Sequence, residues 1–100
     1  MSNDIDRIVR ECFRELARAS ELGAVTPGAE AVLYEYVRYW MALGAPRDRV
    51  LARCEGLIKR ATERVRPEDV SASDGEKLCR ELVERCVHHY AGLSTLRQVD

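Results

Sequence analysis

The 100-residue sequence predicts an all-α protein, an antiparallel four-helix bundle. Three observations lead there. Apolar residues recur at the 3.6-residue helical period in four segments, and each segment carries its own start and stop signals. No stretch alternates with the two-residue period of a strand. Apolar residues make up 46% and charged residues 33%, the balance of one folded domain spanning 1–100 rather than of a disordered chain.

The first helix is expected over about 4–22. Ser2 or Asn3 can cap it, and Asp4 and Asp6 suit the positive end of its dipole. Ile5, Val9, Cys12, Phe13, Leu16 and Ser20 share one face, and Gly23 ends it. The second is expected over 27–43, with Thr26 as N-cap, Pro27 in the first turn and Gly44 as terminator. Its inner face carries Val32, Leu33, Tyr36, Trp40 and Leu43.

The third helix, 46–65, turns Val50, Leu51, Cys54, Leu57, Ile58, Ala61 and Val65 inward, and Pro67 stops it. A connection from Arg66 to Ser73 follows, in which Pro-Glu-Asp can form a short helical turn. Ser73-Asp74-Gly75-Glu76 fits a capping box and starts the fourth helix, 74–92. Leu78, Cys79, Leu82, Val83, Cys86, His89, Tyr90 and Leu93 are its inner face, and residues 94–100 read as a loosely ordered tail.

A net charge of -1 provides no global pull towards nucleic acid or an anionic membrane. The acidic opening Met1–Arg7 has no apolar run, which predicts neither a signal nor a transit peptide. No segment approaches a membrane span. A cytoplasmic protein is therefore expected, and its four cysteines, without a C-x-x-C pair, are expected as free thiols.

In a regular bundle Cys12 and Cys54 lie ~10 Å from one end, Cys86 ~9 Å and His89 ~5 Å, whereas Cys79 stands roughly 10 Å from Cys86. Two readings follow. Cys12, Cys54, Cys86 and His89 are the donor set of a tetrahedral Cys3His zinc site. Alternatively the thiols are small core side chains packed against Tyr36 and Val37, with His89 at the core edge. Packing is the favoured reading, with no metal and no cofactor, because paired ligands at short spacing are missing apart from Cys86-x-x-His89. The same pair is all that nucleophilic catalysis could use, and no carboxylates pair in an apolar setting, so an enzyme is not expected.

Two surfaces suggest partners. Arg49, Arg53, Arg60 and Arg64 form a basic stripe along the third helix, with Gly56 in the same stripe marking close packing or a contact. The stripe can meet phosphates, or it can lay its stems over the core edge. The turn before it is a poor helix-turn-helix: the helices are long and offer base edges only arginines. On the second helix, Tyr34, Val37 and Met41, edged by Arg38, form a second apolar stripe, expected to be an interface for homodimerisation or to be covered by the Arg66–Ser73 connection. The function expected is thus a self-associating regulatory or adaptor module working by protein–protein contact. A nucleic-acid-binding regulator using the arginines and a metal or redox sensor using the cysteine layer are its alternatives.

Overall fold

The computed structural model describes residues 4–64 and 72–98. These form four α-helices and no strand: α1 Asp4–Leu22, α2 Pro27–Ala42, α3 Arg47–Arg64 and α4 Ala72–Gln98. The caps expected for α1 at Ser2 or Asn3, and the short turn expected within the α3–α4 connection, fall at residues 1–3 and 65–71, outside the described residues.

The punctuation works as the residue types dictate. Thr26 Oγ1 accepts a hydrogen bond from the Ala29 N–H at 3.1 Å, satisfying one of the donors a helix start leaves open. Gly23 and Gly44 take φ of 68° and 83°, the left-handed region that closes a helix end. Past them the Ala24 N–H reaches the Ala19 carbonyl at 3.2 Å and the Ala45 N–H reaches the Trp40 carbonyl at 3.1 Å.

α4 departs from expectation at both ends. It starts at Ala72, so Ser73 lies within the helix, and the side chains of Ser73 and Asp74 lie outside the described residues. It continues through Gly92 to Gln98, where a loose tail was expected. One helical glycine costs about 1 kcal/mol relative to alanine, too little to end a helix whose next turn still packs. Leu93 is partly buried against the core, and Thr95 Oγ1 donates to the Ala91 carbonyl at 2.9 Å.

Cross-helix contacts give the directions. Cys12 reaches Val32 and Glu15 approaches Gly28, so α1 and α2 run antiparallel. Thr62 meets Cys79 and Cys54 meets Cys86, so α3 and α4 do too. Glu30 meets Arg85 and Tyr34 meets His89, so α2 and α4 run parallel, as up-down-up-down topology requires.

Around the bundle the order is α1, α2, α4, α3: α1 packs on α2 and α3, α4 packs on the same two, and α1 scarcely touches α4. The consecutive pair α2 and α3 therefore meets across the short diagonal. That explains the two apolar faces of α2. It packs against all three other helices, and Val37 and Met41 are core residues at 0% and 6% exposure rather than an outer surface. Fully burying a side chain such as Val37 contributes roughly 2 kcal/mol, more than a marginal surface contact returns. With Leu16, Leu33, Val50, Leu57, Ile58 and Leu82 they form one continuous core. On α1 the buried face centres on Ile8, Cys12, Leu16 and Ala19, leaving Ile5, Val9 and Phe13 at its margin.

Candidate functional site

All four cysteines are free thiols, and each has a local partner. The Cys12 S–H donates to the Val32 carbonyl at 3.5 Å and ties α1 to α2. Burial first, then the neighbouring Cys54, Glu11 and Glu35, pushes the Cys12 thiol up to about 12. The Cys86 thiol is held far above the ordinary thiol range, first by its hydrogen-bonding contact with Cys54 and then by burial. Tyr36 belongs to the same neighbourhood: burial raises its hydroxyl first, with Cys54 and Cys12 adding to the rise. Cys12, Cys54 and Cys86 are therefore neighbours in one buried layer. Burial at Cys12, and the Cys54 contact with burial at Cys86, hold those two thiols in the protonated form.

His89 does not join it. The ring stands edge-on to Tyr34 of α2, with centroids 5.5 Å apart, beside the Glu30–Arg85 ion pair at 3.3 Å. Among the described residues, no group of three His, Cys, Asp or Glu side chains takes up a metal-holding arrangement. The alternative donor set of Cys12, Cys54, Cys86 and His89 is thus split across two regions. Burial lowers the His89 pKa, His88 and Arg85 lower it further, and Glu30 opposes them. Its Nε2 is buried with no hydrogen-bond partner.

Two members of the arginine stripe are engaged within the fold. The Arg53 guanidinium lies 4.2 Å from the ring centroid of Trp40, and Arg60 Nε donates to the Gly56 carbonyl at 3.2 Å. Arg49 is exposed, and the side chain of Arg64 lies outside the described residues. Gly56 does not mark a close approach: a Cβ there would meet nothing within 4 Å. Trp40 is the hub of an aromatic group, edge-on to Tyr39 at 5.3 Å and to Tyr36 at 6.1 Å. Its indole N–H sits near enough to the Tyr36 hydroxyl to favour the phenolate, yet no acceptor meets it with hydrogen-bond geometry. Of the second-helix stripe, Tyr34 is 37% exposed and Arg38 is exposed, while Val37 and Met41 are enclosed.

The structure adds a site that sequence alone did not single out. Between α3 and α4 runs a half-open groove of about 590 Å³, with Ser20 and Gly23 of the α1 end at its margin. Ile58, Thr62, Leu78, Cys79, Val83 and Val87 supply a mainly apolar floor. Thr62 explains why a polar residue is tolerated there. Its hydroxyl proton goes to the Ile58 carbonyl at 2.8 Å, so the Cys79 S–H donates to Thr62 Oγ1 at 3.1 Å. Among the described residues the hydrogen-bond partner of Cys79 is this hydroxyl rather than a base that would activate the thiol as a nucleophile. The helical period did put Leu78, Cys79 and Val83 on one face, but not the fact that α1 stands too far from α4 to cover them. No helix among the described residues is long and apolar enough to cross a membrane. No family model, curated protein or solved structure matches the chain, and the groove is therefore interpreted from its own chemistry.

Proposed function

We propose that this protein is a non-enzymatic contact module of the cytoplasm, regulatory or adaptor in role, and that it receives a protein partner in the α3–α4 groove. The observation that carries this reading is the groove itself. Its floor exposes Cys79, Val83 and Val87 above the core residues Ile58 and Leu78, and no described element covers it. Single exposed apolar residues need no partner; a contiguous apolar concavity between two helices does. A catalytic role has less support, since the thiol nearest His89 in sequence, Cys86, is buried and holds its proton tightly. Homodimerisation through the outer side of α2 has less support too, with only Tyr34 and Arg38 of that stripe reaching solvent.

A photo-crosslinking residue placed at Arg80 on the groove wall, compared with one at Arg14 on exposed α1, tests the reading. The expected result is a discrete protein adduct from the groove position that is lost on Val83→Glu. The protein captured in that adduct, produced separately and uncrosslinked, should bind the full chain in titration. Equal crosslinking from both positions, or none from the groove, would overturn it.

A further inference from the structure

The walls of the groove carry a matched charge pattern. On α3 the exposed residues Glu55, Lys59 and Glu63 follow one another at four-residue steps, and on α4 so do Glu76, Arg80 and Glu84. Four-residue steps keep each trio on one helix flank. The contacts of Thr62 with Cys79 and of Cys54 with Cys86 set the antiparallel register. In that register Glu63 stands level with Glu76, Lys59 with Arg80 and Glu55 with Glu84, each pair within about 3 Å along the axis. The groove is therefore flanked by an acidic pair, a basic pair and a second acidic pair. Among the described residues none of the six makes an ion pair.

Like charges facing one another across an apolar cleft gain nothing from each other. They do suit a third element whose charges alternate in the opposite order. The charged stretch of the walls is about 12 Å long, two turns of a helix. We infer that the groove docks an amphipathic helix of another protein, whose apolar face meets Cys79, Val83 and Val87 and whose flanks carry basic, acidic and basic residues at four-residue steps. This rests on the groove being the contact surface and specifies what fills it. A second copy of the chain is a poor occupant. Its own basic–acidic–basic run, Lys77, Glu81 and Arg85, lies on α4 beside Leu82, a fully buried core residue, and Arg85 is held by Glu30.

The test titrates the isotope-labelled full chain with two helical peptides of about 18 residues, long enough to hold a helix when bound. Both share a leucine face; one carries Lys–x3–Glu–x3–Lys flanks and the other Glu–x3–Lys–x3–Glu. The first should shift the amides of Lys59, Thr62, Cys79, Arg80 and Val83 and bind about tenfold tighter than the second. Lys59→Glu with Arg80→Glu should cut that preference to about twofold, because the outer acidic pairs still favour the flanking lysines, and a peptide with lysine at the central position should restore binding. Both substitutions are on exposed side chains, and circular dichroism checks that the variant stays folded. Equal binding of the two peptides would overturn the charge pattern while leaving the groove a contact surface. Groove resonances that respond to dodecanoate but to neither peptide would overturn both, as would no response to any probe. A concentration-dependent dimer that buries the same resonances would overturn the assignment to another protein.

Discussion

The two halves of this bundle use the same residue types to opposite ends. Where α1, α2 and α3 meet, cysteines, an aromatic hub and aliphatic side chains close on one another, and every thiol is sealed. Between α3 and α4, beyond the reach of α1, a mainly apolar floor is left open by the described residues and is lined with charge. The difference comes from helix order. Because α2 and α3 occupy the short diagonal, α1 and α4 are held apart, and among the described residues α1 does not cover the outer side of the α3–α4 pair. Burial alone then decides which thiols are packing and which one faces a solvent-accessible cleft.

Thiol labelling should show the largest contrast between the two halves. Cys79 is half-buried at the groove, whereas Cys12, Cys54 and Cys86 have no exposure. With an aromatic disulfide reagent under native conditions, Cys79 should react first. The other three should react only through opening of the bundle, slower by at least about a thousandfold for a domain of ordinary stability. Four thiols reacting at one rate would mean the core half is not closed. Oxidant sensing through the cysteine layer would also require fast reaction at Cys54 or Cys86, so the same measurement separates sensor from packing.

Truncation should give the next largest contrast. Leu33→Ala, in the sealed half, should cost about 2–5 kcal/mol because the transfer term and the cavity term add. Val83→Ala, on the groove floor, should cost about 1 kcal/mol or less, since the side chain is only partly buried and water already reaches its edge. Urea unfolding of the two variants measures both. Equal losses would mean that the groove is covered in solution.

How far this contrast was legible in the sequence differs from residue to residue. Helix number and most boundaries follow from Thr26, Pro27, Gly23 and Gly44, whose backbone preferences act locally. The run of α4 past Gly92 was not legible, because Leu93 is held by tertiary packing that outweighs a single glycine. The second apolar face of α2 was visible as Val37 and Met41, but periodicity says only that a face must be covered. Which helix covers it depends on the packing order, and so Val37 and Met41 resembled an interface. His89 shows the same limit: axial counting placed it one turn from the thiols, and its direction around the helix sends it to Tyr34 instead. The wall charges were present as four-residue runs in plain sequence. Their significance required the α3–α4 register.

A pH titration probes the seam between α2 and α4, where the smallest effect is expected. His89 sits against Tyr34 with Glu30, Arg85 and His88 around it, and its buried Nε2 has no acceptor to receive an added proton's N–H. Burial therefore sets the folded pKa below the ordinary value of 6.5, so the unfolded chain takes up the proton first. The contribution to stability is complete above 6.5, falls as pH drops through that value, and levels off below the folded pKa. Thermal midpoints between pH 7.5 and 5 should decline accordingly, by a fraction of what Leu33→Ala removes. His89→Phe, which keeps the edge-on contact with Tyr34 but cannot titrate, should flatten that part of the decline. His88→Phe should flatten it much less, because it removes only the smaller repulsion that His88 exerts on His89 and leaves the burial of His89 unchanged. A decline that survives His89→Phe unchanged would move the pH response to the carboxylates and leave the α2–α4 seam as inert packing.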